Sequence, residues 1–394
     1  MERQIDAQWH KEASYAHFLC SIPGNGIKTM EKMYNLYGIL GGYEGVYFSI
    51  KEALQNESRV LSEKIGINSR QKASLESWML EKDVKKEYEK LLYNKIWCIP
   101  KYLKGYPDKL KYIYNPPNAL YVKGYLPGNS RPVVGVIGAR NCSPYGEMMA
   151  KEMGRALAKA GIQVISGMAR GVDGISQRSA LMAGGAVFGV LGCGVDICYP
   201  EENLDIYQKM ISQKRSGIIS EYIPGTEPAP GLFPVRNRII SGLADTIVVV
   251  ESREKSGTYI TVMNALEQGK DVYVIPGRIG DPLSFGCNRL IAQGANVIYD
   301  IKQFVSDILG SAGGEQNNEI AKESVGCQGK DRGVLLSDEE KCVYAGLDIQ
   351  YCPAEEILAR TVPQLAFSQG LVILSTLECK GLADSQGGFY RIRT

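Results

Sequence analysis

The chain has 394 residues, 44% of them hydrophobic and 22% charged, with a net charge of +2. That is enough apolar material for a large core in two or three domains, and it excludes both a disordered chain and a uniformly basic one. No apolar run reaches transmembrane length, and the start Met-Glu-Arg-Gln-Ile-Asp has no signal-peptide core, so a soluble, cytoplasmic protein with no membrane partner is expected.

Residues 1–95 carry Glu, Lys, Leu and Met at helical spacing, most clearly from Lys51 to Lys90, and are expected to form a small helical domain. Within it, Phe18 to Thr29 with Gly24 and Gly26 is either the hairpin of a helix-hairpin-helix, whose amides meet DNA phosphates, or a plain turn between helices. Both histidines of the chain, His10 and His17, lie here and suit solvated or half-buried positions on one helix face. His triads and His-rich metal sites are thereby excluded from the rest of the chain. From Trp97 to Leu126 the sequence is irregular and aromatic, with Tyr102, Tyr106, Tyr112, Tyr114, Tyr121 and Tyr125 interleaved with lysines. Such rings either pack or stack on bases.

The expected core runs from Val133 to Asp300. Val133 to Ile137 is a continuous apolar run ending in the turn Gly138-Ala-Arg140, with a helical pattern from about Gly146. This is a buried parallel strand, a tight turn and a helix whose N-terminus offers an anion site. The same grammar repeats: strand and glycine loop from Gly161 to Asp173, helix from Ile175 to Ala183, and strands at Ala186–Leu191, Ser216–Ser220, Thr246–Val250 and Asp271–Ile275. The expected fold class is α/β, a doubly wound, mostly parallel Rossmann-like sheet whose ligands gather at the carboxyl ends of the strands.

The loops at that rim read Gly138-Ala-Arg140, Ser166-Gly167-Met-Ala-Arg170, Gly192-Cys-Gly194, Phe233-Pro-Val-Arg236-Asn237-Arg238 and Glu251-Ser-Arg-Glu-Lys255-Ser256-Gly257-Thr258. Singly, each is compatible with an ordinary turn. Together they offer amides, hydroxyls and guanidinium groups suited to phosphate. Neither a P-loop nor a Gly-x-Gly-x-x-Gly turn is present, so no ATP, NAD or other cofactor is expected. The ten cysteines have no Cys-x-x-Cys pair, Cys193 and Cys198 being the closest, which reads as reduced thiols rather than a metal site.

Beyond Asp300, Ile301 to Leu309 should close the core as a helix, and residues 310–334, polar and glycine-rich, read as a linker. Residues 335–394 show three short helical patterns and a hairpin from Gly381, the order of a winged helix. Its second helix carries Glu355 and Glu356, which favours a spacer or protein-contact role over duplex reading. Net charge is +6 over residues 1–131, 0 over 132–300 and −4 over 301–394. Overall charge therefore does not announce a nucleic-acid binder, and the expectation is a local positive pocket on a neutral domain.

These motifs in order carry a resemblance. Ile-Gly-Ala-Arg140 with Ser-Pro-Tyr-Gly146, Ser-Gly-Met-Ala-Arg-Gly-Val-Asp173, Gly-Val-Asp-x-x-Tyr-Pro200, Phe233-Pro-x-Arg-Asn-Arg-Ile-Ile-Ser-Gly-Leu243, Val-Ile-Pro-Gly277 and Gly286-Cys-Asn-Arg-Leu-Ile-x-x-Gly-Ala295 resemble the DNA-processing protein A (DprA, Smf) family across the whole central domain. The resemblance implies domains at 1–95, 96–309 and 335–394 around the linker, with Tyr106 to Val122 extending the central sheet. It also implies a non-catalytic, homodimeric protein that binds single-stranded DNA and loads the RecA recombinase during natural transformation and recombination.

By position, Arg140 matches a DNA-contacting arginine, Phe233 a base-stacking aromatic, and Arg236, Asn237 and Arg238 the signature beside it. Gly138, Gly167, Arg170, Lys255, Ser256, Gly257 and Thr258 complete the expected DNA-binding set. Two alternatives stand beside it: Phe233 as a core residue, and Arg236 or Arg238 bonded to Glu221 or Glu251 as braces. Three positions depart from the pattern: Pro230 replaces a common basic residue, Ser176-Gln177 replaces Ala-His, and Ala139 replaces a serine. A second functional reading is a Rossmann-like phosphoribohydrolase, distantly matched by the glycine loops, Glu251 and Ser256-Gly-Thr258, although that group's Pro-Gly-Gly-x-Gly-Thr-x-x-Glu signature is not intact.

Overall fold

The computed structural model describes residues 6–56, 59–312, 337–347, 352–380, 382–386 and 388–392. They belong to two compact units, one reaching Gly314 and one beginning at Glu315.

The larger unit is built on a nine-stranded sheet. Its strands are β1 (Ile96–Pro100), β2 (Ala119–Gly124), β3 (Val133–Ile137), β4 (Gln163–Ser166), β5 (Val187–Val190), β6 (Gly217–Ser220), β7 (Thr246–Val249), β8 (Asp271–Val274) and β9 (Asn296–Val297), in the order β1-β2-β6-β5-β4-β3-β7-β8-β9. From β6 to β9 every neighbour is parallel, and β1 and β2 add an antiparallel pair at one edge. The aromatic segment after Trp97 thus extends the sheet, as expected. Val-Val-Gly-Val-Ile of β3 and Thr-Ile-Val-Val of β7 are buried along their whole length, because helices cover both faces and no position alternates to water.

The helices Pro144–Lys159 and Val172–Met182 pack Ala150, Met153, Leu157 and Leu181 on one face. On the other face, Leu232–Leu243 and Gly257–Glu267 pack Ile239, Ile240, Leu243, Val262 and Ala265. The chain steps outward from β3 through β4 and β5 to β6, then returns across β3 to β7 and β8. Strand order reverses between β3 and β7, so the loops leaving their carboxyl ends part and open a crevice.

The N-terminal helices are not set apart from this sheet. Trp9 and Ala13 of helix Ala7–Cys20 and Tyr88 and Leu91 of helix Val84–Tyr93 join the core beneath it. A second core of Phe18, Leu19, Met30, Tyr43 and Ile50 holds the remaining N-terminal helices together. Residues 1–95 and 96–309, two domains by sequence, therefore share one compact unit. Within Phe18 to Thr29, residues 21–26 connect helices ending at Cys20 and beginning at Ile27, a geometry common to a hairpin and a plain turn. His10 bonds Tyr88, and buried His17 bonds the Tyr121 hydroxyl of β2 at 3.0 Å.

The closing helix runs Ile301–Ala312, and the expected linker beyond it lies outside the described residues. In the smaller unit, helices Asp338–Ala345, Ala354–Thr361 and Phe367–Cys379 accompany a three-stranded sheet of β10 (Cys352–Pro353), β11 (Ala383–Gln386) and β12 (Phe389–Ile392). Val343, Ile357, Leu374, Leu377 and Tyr390 form its core. Among the described residues, no helix is long and apolar enough to cross a membrane.

Candidate nucleic-acid interface

A cleft of about 650 Å³ occupies the reversal point. Gly138 and Arg140 enter it from the turn after β3, and Arg253, Lys255, Ser256, Gly257 and Thr258 from the segment after β7. Phe233, Arg236, Asn237 and Ile240 form its third side. Four cations line it against one carboxylate, Asp173, which gives the local positive pocket expected on a neutral domain. Gly171 locks two of the turns together: its φ is +69°, and a Cβ there would lie 2.3 Å from the Ala139 carbonyl oxygen.

The third side differs from expectation in kind. Phe233 to Arg238 is the first half of a helix, Leu232–Leu243, rather than a loop. Positions 233, 236, 237 and 240 recur at helical spacing on one face, and that face is the cleft wall. Arg238 falls outside it. Its guanidinium makes paired 2.6 Å bonds to Glu221 and donates from Nε to the Asn115 carbonyl at 2.8 Å, with both charged side chains 8% exposed. The anticipated brace is realised for Arg238, and its expected DNA contact is not supported by this placement.

Arg236 is equally buried but differently served. It donates to the Gly167 carbonyl at 2.9 Å, while its Nε has no hydrogen-bond partner. Burial lowers its pKa to about 10, partly offset by the charge of Asp173. The Asp173 carboxyl is itself pushed up by burial, against the opposing charge of Arg236 and the amide of Gly167, which it accepts at 3.0 Å. Arg236 lines the cleft although its orphan Nε is itself buried, and a cation so placed, with incomplete hydrogen bonding, is a ready partner for an anion.

Helices Pro144–Lys159 and Gly257–Glu267 both begin near the cleft, and their N-termini are capped differently. At Pro144–Lys159, Ser143 caps Gly146, and Glu251 accepts from the Ser143 amide at 2.9 Å and from its hydroxyl. Glu251 is 2% exposed, so the protein's own carboxylate fills the anion site that the first turn promised. At Gly257–Glu267 the cap is Ser256, Lys255 precedes it, and the Thr258 hydroxyl bonds the Gly138 carbonyl at 3.3 Å. This second terminus faces the cleft.

At the mouth, Arg140 is exposed and its guanidinium lies 5.9 Å from the Phe233 ring centre, within cation–π range. Phe233 is half-buried, not a core residue. A smaller adjoining cleft of about 80 Å³ is lined by Gly167 and Arg170 together with Arg140, Tyr199, Phe233 and Arg236. Arg170 is exposed and paired with Glu202. All the expected site residues except Arg238 therefore converge on these two adjoining clefts. Asn141, Tyr199, Arg253, Ile260 and Thr261 line the main one without having been singled out. Tyr199 stood in the Gly-Val-Asp-x-x-Tyr-Pro motif and Arg253 in the loop after Glu251, so the signal existed for both. Pro230 also lines the cleft. No group of three potential metal ligands occurs among the described residues.

A mixed α/β protein whose large sheet places basic and aromatic side chains at its reversal point is the class that fold and site define. The model of the family DNA recombination-mediator protein A matches residues 97–309. DNA processing protein DprA of Bacillus subtilis is 38% identical over 211 residues, 53% of this chain and 70% of that protein. DprA of Streptococcus pneumoniae is 39% identical over 193 residues, 49% and 67% of the two chains. The X-ray structure of the latter superposes with a TM-score of 0.60 at 28% identity, covering 75% of this chain and 97% of that one. The chain belongs to the DNA recombination-mediator protein A family.

Proposed function

We propose that this protein binds single-stranded DNA in the cleft, as a non-catalytic dimer, and delivers the strand to a RecA-type recombinase in DNA uptake and recombination. The observation that carries the reading is the mouth of the cleft, where the Arg140 guanidinium lies over the half-buried ring of Phe233. An aromatic face accepts any base, worth ~1–3 kcal/mol per stacked base, while guanidinium and amide groups hold the backbone. The names of the relatives, DNA processing proteins, agree with that chemistry. In this reading the larger unit is the Rossmann-like binding domain and the smaller a winged-helix accessory.

The phosphoribohydrolase alternative requires an available carboxylate at the glycine loops. Glu251, the residue that suggested it, is spent on the helix at Pro144, which favours the binder.

Titration with fluorescent oligo-dT tests the proposal. Binding should strengthen with oligonucleotide length and weaken as salt rises, because phosphate contacts release counterions. Failure to bind oligo-dT, with hydrolysis of a nucleoside monophosphate instead, would replace this reading by the enzyme. The delivery step is tested by recombinase filament growth on oligonucleotide coated with single-strand-binding protein. The full chain should accelerate it, and no acceleration would remove that step. Sedimentation showing only monomer at micromolar concentration would remove the dimer.

A further inference from the structure

Phe233 is not the whole of the aromatic surface at the mouth of the cleft. Its ring leans on the backbone at Gly192, where a Cβ would sit 2.7 Å from Cδ1. The Tyr199 ring stacks against it with centres 5.4 Å apart and planes 29° apart, and the Arg140 guanidinium lies 5.9 Å from it. The open aromatic area beside it belongs to Tyr199, which is 44% exposed.

Tyr199 is also held without using its side chain. It precedes Pro200 and the short turn Glu201–Asn203, where the buried Asn203 amide donates to the carbonyls of Met168 at 2.9 Å and Ala169 at 3.2 Å. Those carbonyls belong to the second glycine loop, so the backbone carrying Tyr199 is fastened to the site while its ring remains in water. The ring borders both clefts, beside Arg140 and Arg236 in each and Arg170 in the smaller.

We infer that Tyr199 is a base-stacking residue in its own right: a nucleobase lies on its open face, continuing the Phe233–Tyr199 stack. The backbone of that nucleotide runs toward Arg140 and Arg170. This deepens the single-strand reading and rests on it. Stacking is sequence-tolerant because every base has a π-face. The Arg170–Glu202 pair is exposed on both partners, so exchanging Glu202 for a phosphate costs little.

The test compares wild type, Tyr199→Ala and Tyr199→Phe as full chains, by anisotropy, against oligo-dT and an abasic oligomer of the same length. Tyr199→Ala should weaken oligo-dT binding roughly tenfold, and Tyr199→Phe should stay within about twofold of wild type. On the abasic strand wild type and Tyr199→Ala should bind alike, since no base is there to stack. A loss of the same size on both strands, or no loss on oligo-dT, overturns the inference. A Tyr199→Trp chain adds a direct signal: its additional emission should be quenched by oligo-dT and not by the abasic strand, and unquenched emission overturns the inference. If wild type binds neither strand, the underlying reading falls and takes this inference with it. If wild type binds and the substitutions are silent, only Tyr199 is removed.

Discussion

On one side of helix Leu232–Leu243, Arg238 gives both terminal nitrogens to Glu221 at 2.6 Å and its Nε to Asn115. On the other side, two residues earlier and about 200° around the axis, Arg236 makes one bond to a carbonyl and leaves Nε without a partner. Both are among the most buried charges in the chain, at 6% and 4% exposure. Burial therefore does not tell a structural cation from a binding one, whereas the account of partners does. The satisfied arginine ties the helix to the segment after β6, and the unsatisfied one leaves capacity for a ligand anion.

The sharpest way to break this contrast is to remove each arginine in turn. Arg238→Ala strands the Glu221 carboxylate in the interior, and loss of one partner of a buried pair costs about 3–5 kcal/mol. Urea titration should show that loss, while the folded fraction retains its oligo-dT affinity. Replacing both partners, Arg238→Met with Glu221→Leu, should recover most of the stability, because no buried charge is left unpaired. A stable Arg238→Ala protein that has lost DNA affinity would reverse the assignment.

His17 carries the same logic to the other end of the sheet. Burial depresses its pKa from 6.5 to about 4, so the folded protein holds it neutral against Tyr121 while the unfolded chain takes up a proton. Its penalty is absent above pH 6.5, grows as pH falls toward 4, and is complete below that, reaching about 3 kcal/mol. Glu12 and Asp173, whose carboxyls burial pushes up, act with the opposite sign at lower pH. The His17 share is therefore read as a difference: a His17→Gln chain should lose less stability between pH 6.5 and 4 than wild type, by on the order of that amount. Equal losses would mean that the imidazole is protonated in the fold.

The unsatisfied side of the helix gives smaller effects, and in binding. Arg236→Met removes a buried donor set, and the Asp173 carboxyl that loses its countercharge keeps the Gly167 amide. A bond to a charged group is worth about 1.5–3 kcal/mol, so oligo-dT affinity should fall roughly 10- to 100-fold with a smaller change in urea midpoint. If stability falls as far as for Arg238→Ala and affinity does not, Arg236 is a second brace.

Why one arginine could not be told from the other in the sequence is a matter of where helices begin. Strands such as Val133–Ile137 were legible because burial on both faces leaves an uninterrupted apolar run. Phe233-Pro-Val-Arg-Asn-Arg was not, since Pro234 reads as a breaker. It sits in the first turn of Leu232–Leu243, where a missing N–H breaks no intrahelical bond. Once the segment is a helix, the spacing separates 236 from 238 without further information. Glu251 was hidden for another reason. Its partner Ser143 is 108 residues away, and nothing local to either residue distinguishes a capping carboxylate from a free one.

The least costly substitution asks whether the smaller cleft belongs to the site. Arg170 and Glu202 are both exposed, at 62% and 58% of their side chains, and such a pair contributes about 0–1 kcal/mol. Arg170→Ala should thus leave the urea midpoint almost unchanged. If Arg170 exchanges Glu202 for a backbone phosphate, the variant should show a shallower dependence of log affinity on log salt, by about one counterion, with its deficit shrinking as salt rises. The Glu202→Gln chain should behave oppositely at low salt, binding slightly tighter because the arginine has no partner to leave. Identical salt slopes for all three proteins would confine the strand to the main cleft, and Arg170 would be a surface ion pair with no share in the contrast between satisfied and available cations.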